Sequence, residues 1–387
     1  MGAAASQPWL LESQQDFDRD FRGDTLHAGV MEIFASLGLA EQILELPHFK
    51  IRSIGAPGGA DLVDFSWLKT EFPFVTMIAQ SVFLDWLAKE ASAFPSFQIE
   101  MGASARELLR DESGVVNGLR YRQDGDFQEV LAKLVVACDG RGSRLRNEAG
   151  LEPVPVTDPL EVLWFRLPRM KDDPVELRTG ALTGGRLPLI LLERPDHYQI
   201  AVVIKPGSFS DLRKEGLAAF HERIREAAPA LYDRAVDELD EWKRIAFLHV
   251  EGSRLTKWHV PGMLLIGDAA HVMTPVGGVG INYAIWDAVE AANVLAPILK
   301  SGRTIEETNL AEIQRRRETP TKWMQRFQRI AGRNIVTAVA ADESRRLRVP
   351  WIVRFFLRLP GVRTALPRMI ALGWKPTRCE VALYFRY

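Results

Sequence analysis

One stretch of the chain, residues 262–296, constrains the fold more than any other. The run Met263–Ile266 is apolar, too short for a helix and followed by glycine, which predicts a short buried strand. A loop rich in glycine follows, and from Asn282 onward apolar residues recur at helical spacing. A strand therefore leads through a glycine-rich loop to a helix N-terminus. Such a terminus presents unpaired N–H groups and a partial positive charge, which suit an electron-rich or anionic ligand.

The order of motifs within this stretch is more informative than its glycines. The string GDAAH is followed by a proline, by G-x-G-x-N and by a helix that carries Asp287. A lone glycine-rich turn would indicate only a strand-to-helix connection. The whole string resembles the second flavin-contacting motif of the flavin-dependent aromatic hydroxylases, the para-hydroxybenzoate hydroxylase family. This resemblance implies a Rossmann-like FAD-binding domain.

Four features upstream occur in the order that this family has. Glu12 closes a predicted strand, where an acidic residue can bind a ribose hydroxyl. Arg22 precedes a predicted helix, Gln80 stands before another, and Asp139-Gly140 follow a buried run. Taken alone, each of these residues can be explained as a solvated side chain or as part of a common turn. Taken together and in the family order, they make residues 262–296 the second half of a flavin site.

The resemblance assigns roles to these positions. Asp268 would bind the ribityl chain, and the backbone at Gly280–Asn282 would approach the flavin pyrimidine ring and stabilise negative charge there. The flavin itself would perform the oxygen chemistry inside a dry pocket, so no catalytic side chain and no metal site is expected, and His271 is interpreted as structural. The implied cofactor-binding residues are Glu12, Arg22, Gln80, Asp139, Gly140, Gly267, Asp268, Pro275, Gly278, Gly280, Ile281 and Asn282.

The sequence departs from the family pattern at its start. In the family, a first strand and a G-x-G-x-x-G turn precede the acidic strand and hold the pyrophosphate. Here Met1–Pro8 stand before that strand, with Gly2 as their single glycine. Without the first strand, the middle of a parallel sheet would have unpaired edges. Of two explanations, a sequence that starts late and a protein that manages without this phosphate cradle, we favour the first.

The pattern of elements predicts a mixed α/β fold in three parts. Residues 1–155 and 245–300 are expected to form the FAD-binding domain. Prolines mark a boundary after residue 151, and the strand-like runs that follow predict an inserted, mostly antiparallel substrate-binding sheet over residues 156–244. Residues 301–387 are expected to be helical. Their basic, apolar end could lie on a membrane surface, but its prolines favour short helices packed against the flavin domain.

Composition excludes several other classes of protein. The 387 residues carry a formal net charge of -1, which gives no argument for a nucleic-acid partner. Two cysteines cannot form a disulfide framework or a metal cage. Apolar runs are shorter than the roughly 20 residues needed to span a bilayer, and the first residues do not resemble a secretory signal. A cytoplasmic location is the default expectation.

The expected activity is that of an FAD-dependent monooxygenase. By resemblance, it would use NAD(P)H and O2 to hydroxylate an aromatic or polycyclic small molecule. Two alternatives remain open. One is another flavin oxidoreductase on the same fold, such as a halogenase or a reductase, although the sequence contains no recognisable halogenase motif. The other is a truncated, inactive chain that does not retain FAD.

Overall fold

A computed structural model of the chain describes residues 7–18, 25–55, 61–174, 177, 179–182, 189–340 and 362–380. Among these residues, no helix is both long and apolar enough to cross a membrane. Short 3-10 helices occupy Phe65–Trp67, Pro229–Leu231, Trp242–Arg244 and Gly267–Ala269. The α-helices are α1 (Ala28–Ser36), α2 (Ala40–Glu45), α3 (Gln80–Ser92), α4 (Arg144–Glu148), α5 (Phe209–Glu215), α6 (Leu217–Ala227), α7 (Tyr232–Glu238), α8 (Gly280–Lys300), α9 (Glu307–Ala340) and α10 (Val362–Leu372).

The strands alternate with these helices in the first part of the chain and cluster in its middle. They are β1 (Trp9–Glu12), β2 (Thr25–Leu26), β3 (His48–Ile51), β4 (Ser53–Gly55), β5 (Asp61–Asp64), β6 (Val75–Ile78), β7 (Gln98–Met101), β8 (Ser104–Arg110), β9 (Val116–Gln123), β10 (Asp126–Leu131), β11 (Val135–Ala137), β12 (Val154–Pro155), β13 (Leu160–Pro168), β14 (Gly180–Leu182), β15 (Leu189–Glu193), β16 (His197–Ile204), β17 (Ala246–Val250), β18 (Ser253–Arg254), β19 (His259–Val260), β20 (Met263–Leu265) and β21 (His271–Val272).

Two parallel strand pairs form the framework on which the predicted flavin motifs lie. β1 pairs with β7, and β11 pairs with β20, each in parallel. Parallel neighbours need a long crossover connection, and in the second pair that connection includes strands β13 to β17. Between them, β9 and β10 form a hairpin through Asp124 and Gly125, both at positive φ. The predicted mixed α/β fold is confirmed.

The middle of the chain forms a seven-stranded sheet in the order β17-β13-β16-β15-β14-β4-β5. Its neighbours are antiparallel, except for the parallel contact of β14 with β4. Side chains alternate along β13, so Leu163 and Phe165 pack against α6 while Val162 faces the opposite side. Three of the strands lie outside residues 156–244, and the proposed three-part domain division stays a prediction.

Helix α9 connects the parallel framework with the opposite face of this sheet. At 34 residues it is about 50 Å long. It packs against α8 near its start, and Ile335 and Val336 near its end pack on the sheet with Leu160 and Val162. One helix therefore contacts both the expected flavin domain and the inserted sheet.

The start of α1 differs from its predicted form. The sequence around Asp24 and Thr25 predicts a side-chain helix cap, but Thr25 lies in β2, and α1 begins only at Ala28. Asp24 lies outside the described residues. The Thr25 hydroxyl instead donates a hydrogen bond to the Gly278 carbonyl, at 2.5 Å. A long-range contact has replaced the local cap that the sequence suggested.

The buried-type run Leu134–Cys138 predicts that Cys138 is a small, buried apolar side chain, and this prediction is wrong. Cys138 is exposed. β11 buries Val135 and Ala137 while Val136 is exposed, and Cys138 continues this alternation on the outer side. A fully buried run cannot be distinguished from an alternating one over so few residues.

His27 joins three parts of the chain at one buried point. Its backbone N–H donates to the Asn282 side-chain oxygen at 2.8 Å, and its ring Nδ1 lies 2.8 Å from the Ile370 carbonyl on α10. A carbonyl oxygen only accepts, so Nδ1 carries the hydrogen. The described part of the basic C-terminal segment thus packs on α1 rather than away from it. Burial lowers the pKa of His27 to about 4.

This depressed pKa predicts a specific loss of stability in acid. Below pH 6.5 the unfolded chain binds a proton at His27 that the folded chain refuses, so stability falls as pH drops from 6.5 towards 4. The contribution amounts to roughly 3 kcal/mol. His27→Gln keeps a donor but does not titrate, and should flatten this part of the curve. Urea unfolding of both proteins between pH 7.5 and 4.5 measures it, and equal slopes would contradict the assignment.

Candidate flavin-binding site

The two predicted flavin turns lie side by side at the carboxyl ends of β11 and β20. Val135 aligns with Met263 and Ala137 with Leu265. The hydrogen bond from the Ile266 N–H to the Ala137 carbonyl, at 3.0 Å, extends this pairing to the last residue before the second turn. Ligands of open α/β sheets bind beyond the carboxyl ends of the strands. The chain therefore brings Asp139-Gly140 and Gly267-Asp268 to the edge where a cofactor is expected.

Two arginines tie these turns together. Arg146 is buried, and its guanidinium donates to the Ala269 carbonyl at 3.2 Å and to the Arg141 carbonyl at 2.9 Å. The Arg141 side chain lies 3.7 Å from the Asp268 carboxylate, which is partly exposed. Because Arg146 contacts the backbone of both turns, the two motifs are held at a fixed separation. The position of Arg141, directly after Gly140, was the only sequence signal for its role.

Asp139 has a structural function of its own. Its carboxylate accepts hydrogen bonds from the Ser143 hydroxyl at 2.5 Å and from the Leu145 N–H at 3.2 Å. These contacts order the first turn of α4, where an acidic side chain is favourable. Gly140 has φ +84°, a conformation that glycine adopts without strain. The turn is therefore built by its own residues, and its contact with FAD stays a prediction.

The loop between β21 and α8 is held by a glutamine that sequence reasoning missed. Gln328 on α9 is buried and accepts from the Thr274 N–H at 3.2 Å. Its amide nitrogen donates to the carbonyls of Thr274 and Val276, both at 2.8 Å. The three bonds fix the backbone on both sides of Pro275. No local pattern marks Gln328, because its partners lie more than fifty positions away.

Gly278 and Asn282 attach the same loop to the first part of the chain. Asn282 is fully buried and its amide nitrogen donates to the Thr25 carbonyl at 2.8 Å. Gly278 has φ +62°, and a Cβ there would stand 2.7 Å from the Thr25 hydroxyl oxygen. A side chain at 278 would therefore be strained and would also collide. Arg22, which the resemblance predicts to lie along the flavin dinucleotide, is outside the described residues.

Helix α8 presents the kind of N-terminus that the sequence predicted. It begins at Gly280, and the preceding Val279 provides no side-chain cap. A Cβ at Gly280 would meet no other atom within 4 Å, so open space adjoins the first turn. The first N–H groups of a helix have no partner within it and carry its partial positive charge. This end of α8 can receive an electron-rich ring.

A buried charge cluster supports the second turn from behind. Asp287 on α8 is fully buried and accepts from the Gly267 N–H at 3.0 Å, His271 Nε2 at 2.6 Å and Arg317 Nε at 2.7 Å. Burial alone raises the pKa of the Asp287 carboxyl, but His271 and Arg317 outweigh it and hold that pKa below its usual range. His271 is therefore structural, as the sequence indicated. The hydrogen bond from the Gly267 N–H to Asp287 fixes this glycine, which has φ +59°.

Glu12 and Gln80 are two further residues that were predicted to contact FAD. Glu12 ends β1, and its carboxylate accepts from the Gln14 N–H at 2.9 Å. Gln80 is the first residue of α3, and its side-chain oxygen is buried without a hydrogen-bond partner among the described residues. A buried, unpaired amide oxygen is costly unless a ligand or water completes it. Gln80 is thus a position at which a polar cofactor would satisfy an existing need.

Comparison with known proteins agrees with this geometry. Residues 6–326 match the family model described as "FAD binding domain". The chain is 29% identical over 384 residues to 6-methylpretetramide 4-monooxygenase of Streptomyces rimosus, which covers 97% of this chain and 88% of that protein. It is 27% identical over 279 residues to pentachlorophenol 4-monooxygenase of Sphingobium chlorophenolicum, covering 68% of this chain and 49% of that protein.

A solved structure shows the same fold at lower identity. The anhydrotetracycline hydroxylase from Streptomyces rimosus superposes with a TM-score of 0.70 at 21% identity, covering 94% of this chain and 70% of the other. The FAD-binding-domain model matches most of the sequence, and the chain therefore belongs to that family. The predicted class and cofactor are confirmed, and the protein is an FAD-dependent monooxygenase. This chain spans about half the length of pentachlorophenol 4-monooxygenase, and the identity of its own substrate is therefore a matter for proposal.

Replacing Arg317 tests whether the buried Asp287 carboxylate and its partners stabilise the site. In Arg317→Met, Asp287 loses its guanidinium partner while it stays buried, and we expect a loss of about 3–5 kcal/mol in unfolding free energy. Adding Asp287→Asn removes the stranded charge and should recover part of that loss. Urea unfolding at pH 7.5 measures both variants.

Arg315 supplies the matched control, because it lies on the same helix with a largely exposed side chain paired to Glu312. Arg315→Met should cost less than about 1 kcal/mol. If Arg317→Met were equally mild, the cluster would not be holding the site together. A double variant in which the two losses simply add would show that no charge had been stranded.

Proposed function

We propose that this protein is an FAD-dependent hydroxylase that uses NAD(P)H and O2 to oxidise an aromatic or polycyclic small molecule. One observation carries the proposal: the two flavin turns follow adjacent parallel strands and are tied through Arg146. The names of the relatives support the substrate class, since one acts on 6-methylpretetramide and another on pentachlorophenol.

The residues present fit FAD at several points. Asp268 keeps a partly exposed carboxylate for the ribityl hydroxyls, and the uncapped start of α8 is open at Gly280. Gln80 offers an unpaired amide oxygen, and Glu12 would accept from the ribose. The contacts proposed for Asp139, Gly140, Gly267, Pro275, Gly278, Ile281, Asn282 and Arg22 follow from the family resemblance.

The chain's own residues then act by binding and orientation. When bound, FAD supplies acceptance of hydride from NAD(P)H and activation of O2. The N–H groups at the start of α8 would stabilise negative charge on the pyrimidine ring, because they are oriented before any charge develops. Gln328 fixes the loop around Pro275 through its hydrogen bonds. The sheet face that carries Val162 is apolar and packs against Val276 of this loop, so it would exclude water next to the loop.

Asp268→Ala tests the proposed cofactor site. Losing the ribityl contact should weaken FAD binding by roughly 10- to 100-fold, the effect of one or two charge-assisted hydrogen bonds. Quenching of FAD fluorescence during titration measures the dissociation constant, and visible absorption of the purified protein reports retained flavin. Unchanged affinity would remove Asp268 from the site.

The control is Asp233→Ala, since Asp233 is an exposed acid on α7, on the far side of the large sheet. Its loss should leave FAD affinity within about twofold. A wild-type protein that stays colourless when FAD is added would overturn the proposal for this chain. It would favour the alternative of a chain that does not retain the cofactor.

A further inference from the structure

Two tryptophans form an exposed stack where α9 comes close to the end of α10. The ring of Trp323 on α9 and the ring of Trp374, two residues after α10, have centroids 4.6 Å apart and lie within 12° of parallel. Trp323 is 42% exposed and Trp374 is 55% exposed. A single exposed apolar side chain is ordinary on a protein surface. Two indole rings in contact instead form an apolar patch.

The exposed face of α9 continues this patch along the helix. Its exposed side chains recur at a spacing of three and four residues, which places them on one side of a helix: Trp323, Arg326, Ile330 and Arg333. Ile330 is 53% exposed, so a second large apolar side chain from α9 lies on the same side as Trp323. Apolar and cationic side chains therefore alternate along roughly 15 Å of this helix.

The end of the chain is strongly basic, although the protein as a whole is almost neutral. Residues 319–387 contain 14 lysines and arginines but only three aspartates and glutamates. The whole chain has a formal net charge of -1. A separation of charge on this scale indicates an anionic partner for the basic part, and lipid headgroups and nucleic acid are the two common classes.

Part of this positive charge lies directly beside the tryptophans. The Arg326 guanidinium lies over the Trp323 ring, 5.7 Å from its centroid. Lys322 is half-exposed and pairs with Glu318 at 2.7 Å. After Glu318, the helix contains no acidic residue as far as its end at residue 340. The tryptophan stack and the cations therefore belong to one surface.

We propose that this protein binds to the surface of anionic lipid bilayers. The contact is a basic aromatic surface made of Lys322, Trp323, Arg326, Ile330 and Trp374. Tryptophan is enriched at membrane interfaces because its ring is apolar while its N–H is polar. Lysine and arginine keep their charges among the anionic headgroups, while their apolar stems and the neighbouring rings leave water.

Nucleic acid also attracts basic and aromatic side chains, but this surface fits it less well. Nucleic-acid bases stack on the open face of an aromatic ring. Trp374 is stacked on Trp323 and Arg326 lies over the same ring, so little of that ring's face is open to a base. Ile330 offers nothing to a phosphate backbone, whereas at a bilayer its exposed side chain would leave water. The observations favour lipid.

Sedimentation of the full chain with lipid vesicles measures the proposed binding. Vesicles of phosphatidylcholine with about one third phosphatidylglycerol should bind the protein at least about tenfold more tightly than phosphatidylcholine alone. Added salt should weaken this binding, because it screens the lipid charges. A single-stranded oligonucleotide at the same concentration of negative charge should displace little of the protein. Equal binding to both vesicles, no binding to either, or full displacement by the oligonucleotide would overturn the proposal.

Charge reversal on α9 tests where the lipid binds. Lys322→Glu combined with Arg326→Glu should weaken binding to the anionic vesicles by more than about 30-fold, since each basic residue near such a surface contributes about fivefold. The matched control is Lys214→Glu combined with Arg225→Glu, which changes the net charge equally. Lys214 forms an ion pair within its helix, and Arg225 lies over the Tyr232 ring. The control should stay within about threefold of wild type. Equal losses in both double variants would contradict the assigned surface.

The two tryptophans can be tested separately from the charges. Trp323→Ala combined with Trp374→Ala should weaken vesicle binding by more than about tenfold, whereas Phe127→Ala, at a 61% exposed aromatic on β10, should not change it. Vesicles with brominated acyl chains quench the fluorescence of tryptophans that touch them. Such vesicles should quench the wild-type protein but not the variant in which both tryptophans are phenylalanine. Quenching that persists in that variant would place other tryptophans at the bilayer and overturn the proposal.

Thermal unfolding and FAD content of each variant identify misfolding. The changed side chains are substantially exposed, so both properties should stay at their wild-type values. Should the tryptophan variants lose stability, the two charge-reversal variants decide alone. Binding to vesicles does not require FAD. A protein that bound anionic vesicles but no flavin would leave this proposal intact and contradict the proposed function.

Discussion

The rest of the site depends on the hydrogen bonds that the buried Asp287 carboxylate accepts. The donors are the Gly267 N–H, His271 and Arg317, so these bonds join the second flavin turn to α8 and α9. A buried charge is tolerated only when its partners compensate the loss of water. That requirement makes the geometry demanding: the turn, the helix that follows it and the long helix behind them must all be in place together.

Helix α9 extends this order from the flavin turns to the large sheet. Arg317 binds the charge cluster, and three turns later Gln328 fixes the loop around Pro275. Farther on, Ile335 and Val336 pack on the large sheet. The same helix thus contacts the second flavin turn, the loop around Pro275 and the sheet. A shift of α9 would therefore disturb all three together.

Local patterns in the sequence predicted much of this arrangement. The apolar run before Gly267 and the helical spacing after Asn282 predicted β20 and α8, because each signal lies within the element it describes. The contacts that hold the site were not predictable in this way. Gln328 and Thr25 act on residues far along the chain, and no periodicity records such a pair. Single polar residues mid-helix or in short strands look the same whether solvated or buried.

The central claim is that the two tied turns and the start of α8 form one FAD site. A crystal structure of the protein with FAD tests it most directly. The account predicts a ribityl hydroxyl within about 3 Å of the Asp268 carboxylate and the pyrimidine edge of the flavin at the first N–H groups of α8. It also predicts that Arg146 keeps its contacts to both turns. Flavin bound elsewhere, or an Asp268 carboxylate turned away from it, would contradict the account.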